Sequence, residues 1–90
     1  MYVKRSDLTP LGYRQLSVDS VATVVPPVGA TRVLIQPDGD IRLRDDGISP
    51  TVTSGLLVAN GSIFELTTTG DLRVIGTVPG ILVSLNYYGA

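Results

Sequence analysis

The sequence predicts a single all-β domain, an antiparallel sandwich or jelly roll of about eight short strands. A chain of 90 residues has room for one domain. Its ten glycines and six prolines fall at short intervals between apolar runs that are too brief for an ordinary helix. Short strands at even spacing, separated by turn residues, are typical of sandwiches, jelly rolls and small barrels.

Strands are predicted at residues 12–18, 21–25, 32–36, 41–44, 52–59, 62–66, 72–75 and 81–88. Pro26 and Pro27 end the second of these, because two missing backbone donors would interrupt a central ladder. The continuous apolar run from Val33 to Ile35 indicates a strand that is covered on both faces. Residues 1–10 are polar-rich and precede the first alternating segment. They are therefore predicted to form an N-terminal arm, and residues 11–90 the folded domain.

Two turn signals predict β-hairpins. The first is Pro37-Asp38-Gly39-Asp40, in which glycine accepts a positive φ and aspartate can hydrogen-bond its own backbone. The second is Asn60-Gly61, the dipeptide that most strongly favours a two-residue hairpin. Each signal is expected to join two strands that pair with each other.

Four aspartates occur within nine residues, at positions 38, 40, 45 and 46. Carboxylate oxygens suit calcium, but the spacing does not match a helical calcium-binding loop. Aspartate is also a preferred turn residue, so turn structure is the favoured interpretation and no metal or cofactor is predicted. Gly47 follows Asp46 and is expected to need a positive φ.

The composition argues against catalysis and nucleic-acid binding. There is no histidine and no cysteine, so the usual base and metal ligands are missing, and no Gly-x-Ser-x-Gly motif occurs. Seven basic residues against eight acidic ones give no basic stripe of the kind that nucleic acid requires. The first residues form no apolar run, so neither a signal peptide nor a membrane anchor is expected.

Protein contacts are predicted instead, because so small a domain without disulfides or metals commonly gains stability from neighbouring subunits. Apolar and basic residues of the arm and its junction could dock on a partner, and the predicted contact residues there are Val3, Lys4, Arg5, Leu8 and Leu11. A homo-oligomer is the expected state.

Further contact candidates lie on two predicted strands. Arg42 and Arg44 alternate with aliphatic residues and so share one face. Tyr87 and Tyr88 are adjacent in the last strand, so one ring is expected in the core and the other exposed. Tyrosine is enriched at protein interfaces.

Over roughly its last three quarters the sequence resembles the small β proteins encoded among the head and tail genes of tailed bacteriophages. The resemblance is carried by Val25-Pro26-Pro27-Val28-Gly29-Ala30, by the segment from Ile41 to Thr51, by Gly55-Leu56-Leu57 and by the closing Tyr87-Tyr88. Its most specific part is Arg44-Asp45-Asp46-Gly47 followed by Pro50-Thr51.

This resemblance implies a virion structural protein, made in the host cytoplasm, that binds other virion proteins. It would be a capsid decoration or cement subunit, or a component of the head-tail region, without enzymatic activity and without assigned site residues. The alternative is a carbohydrate- or receptor-binding module of similar fold. Such modules usually present exposed aromatic platforms, and this chain has no tryptophan and only 6% aromatic residues.

Overall fold

The computed structural model describes residues 9–67 and 71–89, which form eight β-strands and contain no helix. The strands are β1 (Thr9–Val18), β2 (Ala22–Val24), β3 (Ala30–Pro37), β4 (Ile41–Arg44), β5 (Leu56–Val58), β6 (Phe64–Leu66), β7 (Leu72–Gly76) and β8 (Ile81–Gly89). The predicted all-β class is confirmed. Within these ranges there is no helix that is long and apolar enough to cross a membrane.

The strands form two four-stranded antiparallel sheets. Sheet 1 has the order β1-β8-β3-β6, and sheet 2 has the order β2-β7-β4-β5. The long strand β8 lies between β1 and β3, where Leu85 pairs with Arg14 on one side and with Ile35 on the other. Strands that are distant in sequence therefore become neighbours.

Alternating side chains from both sheets bury one common core. In β4 and β7 every second residue is buried, as expected for strands with one face towards the core. The buried cluster consists of Leu16, Val18, Val24, Ala30, Val33, Ile35, Ile41, Leu43, Val58, Leu72, Val74, Ile81, Val83, Leu85 and Tyr87. The run from Val33 to Ile35 is buried throughout, but Thr31 and Gln36 of β3 are exposed, so the expectation that β3 is covered on both faces is wrong for the outer face.

The predicted hairpin through residues 37–40 is wrong, because β3 belongs to sheet 1 and β4 to sheet 2. The link is held to other strands: the Asp38 N–H donates to the Leu82 carbonyl at 2.7 Å, and the Asp40 carbonyl accepts from the Thr77 N–H at 3.0 Å. A Cβ on Gly39 would lie 2.8 Å from Ile81 Cδ1. Gly39 thus permits a close approach where the chain passes from one sheet to the other.

The second predicted hairpin is wrong for the same reason, since Asn60 and Gly61 connect β5 in sheet 2 with β6 in sheet 1. The turn itself is present, and Gly61 has a φ of 77°. The Gly61 N–H donates to the Pro37 carbonyl at 2.9 Å, and the Asn60 N–H donates to Asp40 Oδ1 at 2.8 Å. The two links therefore brace each other where the chain changes sheets.

Two predicted boundaries also shift. The arm was assigned residues 1–10, but Thr9 and Pro10 belong to β1 and pair with Gly89 and Tyr88. Residues 1–8 lie outside the described ranges. Of the strand predicted at residues 52–59, only β5 (Leu56–Val58) is present. An isolated bridge between Thr51 and Ser54 precedes it.

The loop after β4 has the geometry that its sequence predicts. Gly47 has a φ of 81°, a conformation in which side chains with a Cβ are strained. Asp46 Oδ1 accepts hydrogen bonds from Arg44 Nε at 3.0 Å and from the Ile48 N–H at 3.3 Å. Asp46 therefore holds the turn around Gly47 from both sides.

Replacing Gly47 with valine should lower the free energy of unfolding by about 1 kcal/mol or more, because a β-branched residue is strained at this φ. Gly47→Asn is the matched control, since asparagine tolerates the left-handed conformation better. Urea denaturation of the three proteins measures the effect. Equal stability of the valine variant and the parent would show that the loop adapts without cost.

Candidate functional site

The predicted contact residues of the arm are placed only in part. Val3, Lys4, Arg5 and Leu8 lie outside the described ranges, and their role stays a prediction. Leu11 lies in β1 and is 37% exposed, at a register irregularity between Pro10 and Gly12. Five predicted contact residues lie in the described ranges, and only Leu11 among them is exposed; the others are Arg42, Arg44, Tyr87 and Tyr88.

Arg42 and Arg44 do share the outer face of sheet 2, but both are engaged within the chain. Arg42 Nη1 donates to the Gly55 carbonyl at 3.0 Å, while its Nε is buried and has no partner in the described part of the chain. The side-chain hydrogen bond between Arg44 and Asp46 raises the pKa of the guanidinium and lowers the pKa of the carboxyl. This pair is on the surface and so contributes little to stability.

A third arginine completes the charged face of sheet 2. Arg73 pairs in register with Arg44, donates to both carboxylate oxygens of Asp71 at 3.3 and 3.1 Å, and donates to Ser49 Oγ at 3.1 Å. Two of the three arginines on this face have a carboxylate partner. An acidic partner protein would therefore have to displace existing contacts.

The expectation that one of the closing tyrosines is exposed is wrong. Tyr87 is 4% and Tyr88 7% exposed, although alternation along β8 directs the two rings to opposite faces of sheet 1. Tyr87 belongs to the core cluster. The Tyr87 hydroxyl has no hydrogen-bond partner in the core. Burial raises the pKa of this phenol, an effect that the charge of Arg14 partly offsets.

The aspartates serve loops. Asp40 and Asp46 accept backbone hydrogen bonds from Asn60 and Ile48. Over residues 9–67 and 71–89, no three acidic side chains are grouped closely enough to hold a metal ion. Folding without a metal or cofactor remains a prediction for experiment.

Exposed apolar side chains provide a surface that sequence reasoning missed. Among the described residues, twelve large hydrophobic side chains are exposed, namely Leu11, Tyr13, Val21, Val25, Val28, Ile48, Val52, Leu56, Leu57, Ile63, Val78 and Leu82. Four of them occur between residues 48 and 57, in the loop before β5 and in β5 itself, an edge strand of sheet 2. We call residues 48–57 the apolar edge segment.

A second surface feature is a half-open depression of about 260 Å³ on sheet 1. Its lining residues are Tyr13, Leu34, Gln36, Ile63, Ser84 and Asn86. None of them was a predicted contact residue. The signal was present, because Ser84 and Asn86 alternate with buried aliphatic residues in β8 and therefore had to share the outer face.

The chain was compared with protein-family models, with curated proteins and with solved structures, and nothing matches. The function is therefore argued from the fold and the surface of this chain. The chain has two candidate contact surfaces, the apolar edge segment on sheet 2 and the depression on sheet 1.

Proposed function

We propose that this chain is a non-enzymatic structural subunit of a tailed-bacteriophage virion, and that its two sheets form a jelly-roll sandwich. The observation that carries the proposal is the strand order, β1-β8-β3-β6 in one sheet and β2-β7-β4-β5 in the other. This is the order that two Greek keys produce in an eight-stranded jelly roll. Viral capsid domains are among the proteins built on that fold.

The fold does not decide the function, because lectin domains and cupins also use jelly rolls. The virion assignment is supported by the sequence resemblance to phage head and tail proteins. Its most specific part, Arg44 to Gly47, forms a defined loop in which Asp46 bonds Arg44 and the Ile48 backbone. The side chains of this motif therefore fix the conformation of the loop after β4.

The apolar edge segment is the proposed contact with other virion proteins. Leu56 is 57% and Leu57 54% exposed, and among the described strands β5 has a neighbour on one side only, at the edge of sheet 2. Exposed apolar residues beside an open edge are features of protein contact sites. The subunit would act at the capsid surface as a decoration or cement protein, or at the head-tail junction, as a homo-oligomer.

Purified protein should sediment with particles assembled without it, and Leu57→Ser should weaken this association about tenfold or more. The reason is that a buried leucine side chain contributes on the order of 1.5–3 kcal/mol. Leu82→Ser is the matched control, because Leu82 is an exposed leucine, 38% accessible, on the other sheet. Sedimentation followed by quantification of bound protein provides the measurement.

Two outcomes would count against the proposal. If the parent protein does not sediment with the particles, the virion assignment loses its support. If both serine variants bind as the parent does, the contact lies elsewhere, and the arm with Val3, Lys4, Arg5 and Leu8 becomes the next candidate.

A further inference from the structure

The sheet 1 depression is built from side chains that the strand register brings together. Tyr13, Asn86 and Leu34 form one row across β1, β8 and β3, and Ser84 and Gln36 pair in the next row. Side chains in such rows are close neighbours, because adjacent strands lie about 4.8 Å apart. Polar groups from two central strands are thereby gathered around Leu34.

Apolar groups provide the floor and flanks of the depression. Leu34 is only 6% exposed, although it points away from the core cluster. Tyr13 is 60% exposed on edge strand β1, and Ile63 is 46% exposed immediately before edge strand β6. A ligand lying over Leu34 would therefore have an aromatic ring on one side and an aliphatic side chain on the other.

The depression also offers hydrogen-bonding groups, some of which are not used by contacts within the described residues. The Tyr13 hydroxyl and Ser84 Oγ are 3.2 Å apart, and Gln36 Nε2 donates to the Gly61 carbonyl at 3.3 Å. This contact fixes the Gln36 amide and leaves its oxygen available. The half-buried Asn86 amide makes no side-chain hydrogen bond to another described residue, so two donors and one acceptor remain for a ligand.

The lining carries no charge. None of its residues is acidic or basic, and the charged pair on the same sheet, Arg32 and Glu65, is joined at 2.6 Å. A ligand ion would find no opposite charge to compensate its desolvation. The chemistry therefore favours an uncharged ligand with several hydroxyl or amide groups and one apolar face.

We propose that the sheet 1 depression binds the ring of a neutral saccharide. The apolar face of the ring lies against Tyr13, and its hydroxyl groups bond the Asn86 amide, the Gln36 oxygen and Ser84. The depression, at about 260 Å³, is slightly smaller than the roughly 300–1,000 Å³ of drug-sized pockets, which suits a single ring better than a peptide segment. This site is independent of the apolar edge segment on sheet 2.

The test is an NMR titration of the isotope-labelled full chain with methyl glycosides of glucose, galactose and mannose and with N-acetylglucosamine. At least one sugar should bind with a dissociation constant on the order of 1 mM and shift the amide signals of Tyr13, Leu34 and Asn86. Asn86→Ala should weaken binding about tenfold or more, because it removes the hydrogen bonds between the Asn86 amide and the sugar hydroxyl groups. Thr23→Ala, which truncates an exposed polar side chain on β2 of sheet 2, should leave it unaltered.

A second variant protects the test against misfolding. Tyr13 is largely exposed, so Tyr13→Ala should keep the fold by circular dichroism and still weaken sugar binding about tenfold. The proposal is overturned if no sugar of the panel shifts signals around the depression. It is also overturned if a neutral glycine tetrapeptide produces those shifts and the sugars do not. Neither result bears on particle binding, which is measured separately.

Discussion

Replacing Leu85 with alanine is expected to lower the free energy of unfolding by about 2–5 kcal/mol, the range for a truncated buried leucine. Leu85 is fully buried in the middle of β8, between Arg14 and Ile35 of the adjacent strands. Small domains have only about 5–15 kcal/mol in total. Urea denaturation should therefore show a strongly lowered midpoint or a largely unfolded variant.

Leu82→Ala is the control for this prediction. Leu82 lies in the same strand but on the opposite face and is 38% exposed, so its truncation should change stability by less than about 1 kcal/mol. If the two variants are equally stable, β8 does not alternate between core and surface as described. The arrangement of sheet 1 would then be wrong.

Replacing Tyr87 with phenylalanine is expected to stabilise the protein by about 1–3 kcal/mol. The Tyr87 hydroxyl is buried and has no hydrogen-bond partner among residues 9–67 and 71–89, and an unsatisfied buried polar group costs about that much free energy. The ring itself, which packs in the core, is retained. Urea denaturation at neutral pH measures the difference, with Tyr13→Phe as a control at an exposed tyrosine.

The same substitution should change the dependence of stability on pH. Burial raises the pKa of Tyr87 above its ordinary value of 10.0. The parent protein should therefore keep its full stability below pH 10 and lose stability as the pH rises through the folded pKa. Tyr87→Phe should lose less above pH 10. A variant that is destabilised at neutral pH would indicate a hydroxyl partner, such as a bound water.

The strands were predictable because their signals are local. Alternation in β4, the apolar run in β3 and the prolines after β2 each act within a few residues, and these elements lie where the sequence predicts them. Gly47 was equally predictable, since its positive φ is a property of one turn. In each of these segments the backbone preference of the residues and their pattern of apolar side chains indicate the same structure.

Strand pairing was not predictable from the same signals. The turns at Gly39 and Gly61 are real, yet each connects the two sheets instead of closing a hairpin. A turn dipeptide specifies backbone angles, whereas the neighbour of each strand is decided by burial of both sheets in one core. The pairing of β8 with β1 and β3 depends on that long-range burial.

The surface was predicted least well for a related reason. Arg42 and Tyr88 looked available in the sequence, but Arg42 bonds the Gly55 carbonyl and Tyr88 is buried. Tyr13 and Asn86 are far apart in sequence and meet only through the register of β1 with β8. Residues that form a site by strand pairing cannot be grouped before the pairing is known.

The most direct test of the central claim is quantitative mass spectrometry of gradient-purified phage particles from cells that express this chain. A structural subunit should be found in the particle fraction in many copies per particle, at a constant ratio to the major capsid or tail proteins across the gradient. Detection of the chain only in the particle-free lysate fraction, with none in intact particles, would contradict a virion role.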